Sequence, residues 1–196
     1  DADGKTGDGA GIHIQIPVPF FYDQIERTGH NPQMDELMAV GQVFLPRTDF
    51  GAQETCRTIV ETEVLRMGYY IYGWRHVPVN VENLGEKANA TRPEIEQILI
   101  SNSKGVEEEK FERELYVIRR RIEKAASVAG INELYLASLS CRSIIYKGMF
   151  LAQDVAEFYP DLKDDRFESA FALYHQRYST NTFPQWWLAQ PFRMLA

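Results

Sequence analysis

The sequence predicts an α+β domain in which sheets and helices form separate layers. Segments with strand-like patterns outnumber helical ones, and they cluster toward both ends of the chain. Their order is mixed and lacks the strict strand–helix alternation of a doubly wound parallel sheet. With 196 residues, 44% of them hydrophobic, the chain suits one domain, or a large part of one, with a substantial core.

The first half of the chain is predicted to hold three strands and two helices. Ile12, Ile14 and Ile16 alternate with polar residues, which predicts a strand ended by Pro17. Asp49 is a suitable N-cap residue for a helix that begins at residue 50. The apolar face of this helix includes Cys56, and the glycine at position 68 is expected to end it. The other predicted elements here are a short helix over 20–27 and strands over 37–45 and 69–77.

The second half begins with a predicted loop over 78–93 and continues with alternating element types. Apolar residues at helical spacing from Phe111 to Ala125 predict a helix, although 115–118 also fits a strand that leads into one. Two strands, 134–139 and 143–146, are expected to pair around a tight turn. The remaining predictions are a strand over 95–101, a helix over 150–158 and a last strand over 171–178.

Charge and cysteine content exclude several classes of protein. The net charge is −7, and the one dense basic run, 119–121, is flanked by glutamates, so a salt-bridged helix face is favoured over nucleic-acid binding. The two cysteines form no Cys-x-x-Cys pair and the four histidines show no ligand spacing, so no metal site is predicted. Neither a signal peptide nor an apolar run of about 18 residues is found, so no membrane partner is expected.

Two further motifs have a structural and a functional interpretation. The glycines from Gly7 to Gly11 precede a strand, whereas a phosphate-cradling loop follows one, so a turn with close backbone packing is favoured. Cys141 has Arg142 beside it but no histidine near it in sequence. A structural role for Cys141, as a small residue at a turn between strands, is therefore favoured over a role as a thiol nucleophile.

The segment from His175 to Ala196 is the most informative part of the chain. Its 22 residues include two Trp, two Phe, one Tyr and two Arg, which predicts a loop folded inward over a pocket. Arg177 at the end of a strand, followed by Tyr178, Thr180 and Asn181, suits a clamp for the carboxylate of a small ligand. A structural arginine paired with an acidic neighbour explains the pattern equally well.

Three stretches resemble the amidotransferase domain of glutamate synthase large subunits, a branch of the class II glutamine amidotransferases. They are TGDGAGI at 6–12, SIIYKGMFLA at 143–152 and ALYHQRYSTNTFPQWWLAQPFRMLA at 172–196. The resemblance implies an N-terminal-nucleophile hydrolase fold, an αββα sandwich that is truncated here at both ends. Residues 1–196 are then part of a single type 2 amidotransferase domain.

The resemblance also implies a reaction and four site residues. An N-terminal cysteine of the family hydrolyses L-glutamine to glutamate and ammonia, and the ammonia reaches a synthase site for reductive amination of 2-oxoglutarate. Arg177 matches the arginine that binds the α-carboxylate of glutamine, Tyr178 an aromatic wall, and Thr180 and Asn181 positions that line the pocket. No cysteine stands near residue 1 and the chain ends before the family's His-Asn-Gly, so no catalytic residue is expected on this chain.

The expected partners are L-glutamine and the remaining domains of a parent glutamate synthase, with a small electron-donating subunit left open. FMN and an iron–sulfur cluster are expected in the parent and not on this chain, and the implied location is bacterial cytoplasm or plastid. The alternative interpretation is a non-catalytic scaffold or a regulatory amidotransferase-like module.

Overall fold

The computed structural model describes residues 6–7, 9–32, 36–176 and 184–192. Two antiparallel sheets and five α-helices form this part of the chain, which confirms the predicted α+β class. The three-stranded sheet has the order β6-β1-β7 and the four-stranded sheet the order β3-β4-β2-β5. The strands are β1 (Ala10–Gln15), β2 (Met38–Leu45), β3 (Tyr70–His76), β4 (Glu94–Ser101), β5 (Tyr135–Ser140), β6 (Ser143–Gly148) and β7 (Ala172–His175).

The helices begin and end near the predicted positions where local signals were strong. Asp49 caps α2, since its carboxylate accepts a hydrogen bond of 2.9 Å from the amide of Ala52. Residues 115–118 are helical within α4, which settles the alternative in favour of a helix. The helices are α1 (Val18–Arg27), α2 (Phe50–Arg66), α3 (Glu86–Ala90), α4 (Glu108–Val128) and α5 (Val155–Phe158), with 3₁₀ turns at Val81–Asn83, Ala152–Asp154, Pro160–Lys163 and Trp186–Leu188.

Two hydrophobic cores define the order of the layers. One core lies between the four-stranded sheet and helices α2 and α4, and it includes Val43 of β2 and Cys56 of α2. The other lies between the two sheets and includes Phe44 of β2 and Ile144 of β6. Because successive residues of a strand point to opposite faces, β2 contributes to both cores, and all of its residues are buried.

The predicted pairing of the strands around Cys141 is wrong. β5 pairs with β2 in the four-stranded sheet, whereas β6 pairs with β1 in the other sheet. The Oγ atom of Ser140 accepts hydrogen bonds from the amides of Arg142 and Ser143, at 3.0 and 3.2 Å, and so turns the chain from one sheet to the other. Both strands are buried along nearly their whole length. A hairpin within one antiparallel sheet commonly leaves one face open to solvent, whereas strands of two packed sheets are covered on both faces.

Three smaller predictions also differ from the structure. The predicted loop 78–93 contains α3 and a 3₁₀ turn, and the predicted helix 150–158 is a 3₁₀ turn followed by the short α5. The last strand is observed only as Ala172–His175, and its predicted end at 177–178 lies outside the described residues.

Candidate functional site

The four predicted site residues, Arg177, Tyr178, Thr180 and Asn181, all lie in 177–183, outside the described residues. The chain on both sides of this segment is described, through Gln176 before it and from residue 184 after it. The described flanks are therefore the only structural observations next to the predicted site.

A cavity lies beside the strand that leads to Arg177. β7 pairs with β1, with His175 opposite Gly11, and so the strand is fixed to the middle strand of its sheet. The end of this strand, the start of β1 and the turn after β6 line a cavity of about 400 Å³. Its polar groups include those of Gln153, His175 and Gln176, so the residue directly before Arg177 already lies on the cavity wall.

Glycines allow the C-terminal segment to approach the sheet closely. A Cβ atom on Gly11 would lie 2.7 Å from the carbonyl oxygen of Gln190 and 2.6 Å from Cβ of Lys147. A Cβ atom on Gly148 would lie 2.4 Å from the indole ring of Trp186. The close backbone packing predicted for the first glycine stretch is confirmed at Gly11, although this residue lies within β1 and not in the predicted turn.

The predicted inward folding of the C-terminal segment is confirmed for Trp186 and Ala189, which are buried, but not for Trp187 and Leu188, which are exposed. Trp186 is 1% exposed and contacts Phe44, Phe150 and Phe158, with ring centroids 6.3, 6.2 and 5.7 Å away. Its indole N–H donates a hydrogen bond of 3.0 Å to the carbonyl oxygen of Ala88 in α3. The segment that follows the predicted site is therefore anchored in the core between the sheets.

A fully buried lysine, which sequence reasoning missed, holds the same segment. The Nζ atom of Lys147 donates to the hydroxyl of Tyr135 at 2.9 Å and to the carbonyl oxygen of Trp187 at 3.0 Å. It also lies 4.7 Å from the ring centroid of Tyr135 and 4.6 Å from that of Phe192. Burial, with a smaller effect from Arg119, lowers the pKa of Lys147 to about 7. A lysine inside the apolar strand sequence SIIYKG was the available signal.

Cys141 is not an activated nucleophile. Its Sγ atom lies 3.2 Å from a carboxylate oxygen of Glu112 and 3.9 Å from the carbonyl oxygen of Glu108. Burial, followed by the negative charge and hydrogen bond of Glu112, raises the pKa of the thiol to about 12, the opposite of what a reactive thiolate needs. The predicted role as a small residue at a strand turn is confirmed, and Cys56 lies in the helix–sheet core as predicted.

The basic run of α4 is a salt-bridged helix face, as predicted. Arg119 and Arg120 both pair with Glu123. Within the described ranges, no group of three or more His, Cys, Asp or Glu side chains is placed to hold a metal ion. No helix in the same part of the chain combines the length and apolar composition needed to cross a membrane.

Comparison with known proteins places these features in a family context. A family model described as "Glutamine amidotransferases class-II" matches residues 1–196. The chain is 68% identical over 196 residues to the large chain of NADPH glutamate synthase of Azospirillum brasilense, covering 100% of this chain and 13% of that protein. It is 43% identical over 195 residues to the chloroplastic ferredoxin-dependent glutamate synthase of Spinacia oleracea, covering 99% of this chain and 12% of that protein. Against the large chain of NADPH glutamate synthase of Bacillus subtilis, the identity is 41% over 199 residues, with coverage of 99% and 13%. The chain thus spans only 12–13% of the length of these curated relatives.

Proposed function

Because the chain belongs to the class II glutamine amidotransferases, we propose that it forms part of the glutaminase domain of a glutamate synthase large chain. The observation that carries this proposal is the 68% identity over all 196 residues to such a large chain. The domain hydrolyses L-glutamine to glutamate and ammonia. The ammonia passes to a synthase site elsewhere in the parent enzyme, where 2-oxoglutarate is reductively aminated.

The proposed fold is the αββα sandwich of N-terminal-nucleophile hydrolases, with residues 1–196 as part of one domain. Two stacked antiparallel sheets and a helical layer on the four-stranded sheet support it. The exposed apolar side chains of Phe171, Leu173 and Tyr174 on and beside the edge strand β7 are consistent with further chain packing there.

Arg177 is the proposed ligand of the α-carboxylate of glutamine. The pairing of β7 with β1 fixes the strand before it, and the cavity of about 400 Å³ at the end of that strand gives room for an amino acid. A guanidinium at such a site binds a carboxylate through two parallel charge-assisted hydrogen bonds. Tyr178 forms an aromatic wall of the same pocket, and Thr180 and Asn181 line it.

The remaining machinery belongs to other parts of the parent enzyme. The nucleophilic cysteine and the oxyanion hole lie outside this chain in the proposal, as do FMN and the iron–sulfur cluster. The two cysteines here do not suit cluster ligation, since Cys56 lies within the helix–sheet core and Cys141 contacts the Glu112 carboxylate. The other domains of the large chain, and a small electron-donating subunit, are the proposed partners.

An assay of glutamine hydrolysis tests the proposal. The full-length polypeptide that carries this chain is expected to release glutamate and ammonia from L-glutamine, whereas the purified 196-residue chain is expected to release neither. A full-length protein that binds its partners but never hydrolyses glutamine would support the scaffold alternative. Glutamine turnover by the purified 196-residue chain would contradict the assignment of the catalytic atoms to other segments.

A further inference from the structure

Two arginines line one cleft where β2 ends and β4 begins. The antiparallel register pairs Leu45 with Glu94 at this edge of the sheet. Arg47 lies two residues after the end of β2 and Arg92 two residues before the start of β4, and both line the same cleft. Like charges this close repel each other, so this arrangement calls for a compensating group.

The structure shows no carboxylate that pairs with either guanidinium within the described ranges. Arg47 donates to the carbonyl oxygen of Asn89 at 2.8 Å, and Arg92 makes only a long contact of 3.4 Å with the carbonyl oxygen of Pro93. The Nε atom of Arg92 is buried without a hydrogen-bond partner in this part of the chain. Burial and the nearby charge of Arg47 lower the pKa of Arg92, so the Arg92 cation is held in a site that raises its energy.

A cleft opens between these two arginines. Its volume is about 150 Å³, the size of an engineered protein cavity that accommodates benzene, which suits a ligand of roughly six heavy atoms. Trp186 and Trp187 form an aromatic wall, and Thr48 and Thr91 also line the cleft. The cleft is lined by other elements than the cavity beside β7, so it is separate from the proposed glutamine site.

We propose that the cleft binds a single carboxylate group between Arg47 and Arg92. Glu133 also lines the cleft, so the two guanidinium groups and this carboxylate leave one net positive charge, which matches a carboxylate and disfavours a phosphate dianion. Glu94, the other acidic residue near Arg92, lies 3.5 Å from the Nδ1 atom of His76. The carboxylate comes from a free small acid or from an Asp or Glu side chain of a segment outside this chain.

Calorimetric titration of the full-length protein with butyrate, a monocarboxylate of about six heavy atoms, tests for the free acid, with inorganic phosphate as the comparison anion. Butyrate is expected to bind more tightly than phosphate, and Arg47→Gln and Arg92→Gln are each expected to weaken it by about 10-fold or more, since each removes a charge-assisted hydrogen bond. Glu133→Gln is expected to strengthen butyrate binding. Arg113→Gln, at an exposed arginine of α4, is the matched control and is expected to change nothing.

Thermal unfolding of the same variants separates the two sources. If a side chain of the longer polypeptide fills the cleft, butyrate does not bind and Arg92→Gln lowers the midpoint of unfolding relative to Arg113→Gln. If butyrate does not bind and Arg92→Gln leaves the midpoint unchanged or raises it, because repulsion between the arginines is relieved, the proposal is overturned. Phosphate binding as tight as that of butyrate also overturns it.

Discussion

Two hydrogen bonds, of 2.6 and 2.7 Å, join the guanidinium of Arg75 to the carboxylate of Asp161. Arg75 lies on β3 of the four-stranded sheet, and Asp161 lies in the 3₁₀ turn after α5. Tyr146 of β6, in the other sheet, donates to the same carboxylate at 3.0 Å and accepts from Gln97 of β4 at 2.8 Å. A buried polar network therefore connects the two sheets.

Asp161→Asn is expected to destabilise the domain by about 3–5 kcal/mol, because it leaves the Arg75 cation buried without its counter-charge. The side chains of Arg75 and Asp161 are only 13% and 3% exposed. Denaturant unfolding measures the change. Glu157→Gln is the control, since its ion pair with Lys163 is exposed and contributes at most about 1 kcal/mol. Equal effects of the two variants would show that burial of the Arg75 pair adds nothing.

Lys147 is expected to make stability depend on pH in the alkaline range. Its pKa in the folded state is about 7, below the ordinary 10.5, so the unfolded chain binds the extra proton between these values. The contribution of Lys147 to stability therefore rises with pH from about 7 to about 10.5 and is lowest below pH 7. The measurement is the free energy of unfolding of the protein minus that of Lys147→Met, as a function of pH. Over this range the difference is expected to rise by up to about 1.4 kcal/mol per pH unit. A difference that is flat over this range would place the pKa of Lys147 near its ordinary value.

Gly148→Ala is expected to cost about 1–3 kcal/mol, because the added methyl group overlaps Trp186 and Phe150. The thermal unfolding midpoint and the fluorescence of Trp186 report the displacement. Gly51→Ala provides the control, because this glycine lies exposed in α2 and alanine is the better helix former. If Gly148→Ala is as well tolerated as Gly51→Ala, the segment 184–192 does not lie against β6 as described.

Cys141 is expected to alkylate at least about 100-fold more slowly at pH 8 than an unhindered cysteine peptide, because only the thiolate reacts and its pKa is raised to about 12. Mass spectrometry of iodoacetamide-treated protein measures the rate. Glu112→Gln removes the negative charge beside the sulfur and is expected to accelerate the reaction. Rapid alkylation of Cys141 in the protein without the Glu112→Gln substitution would instead support the interpretation of Cys141 as a thiol nucleophile.

Helices were predicted well where their formation depends on residues that are close together in the sequence. The Asp49 cap and the apolar stripe of α4 are examples, since each depends on neighbours within one or two turns. α3 was missed because it is five residues long and its C-terminal carbonyl groups bond to distant side chains, those of Arg47 and Trp186. Tertiary contacts of this kind leave no local pattern.

The residues of the candidate site likewise differ in whether the sequence alone could predict them. The local pattern around Arg177 left a carboxylate clamp and a structural arginine equally open, and the family resemblance of the sequence around it favoured the clamp. The assignment of β5 and β6 to different sheets was not predictable, because each strand is buried on both faces and the turn between them fits a hairpin equally well. The contacts of Lys147 with Trp187, and the shared cleft of Arg47 and Arg92, arise only once the chain brings distant segments together.

The most direct test of the account is the kinetics of Arg177→Ala in the full-length enzyme, with glutamine and with ammonia as alternative nitrogen donors. Loss of the charge-assisted bond to the α-carboxylate, about 1.5–3 kcal/mol, is expected to lower kcat/KM for glutamine about 10- to 100-fold or more, mainly through KM. Ammonia-dependent synthesis of glutamate should stay unchanged. An equal loss with both donors, or no loss with glutamine, would contradict the assignment of Arg177 to the glutamine carboxylate.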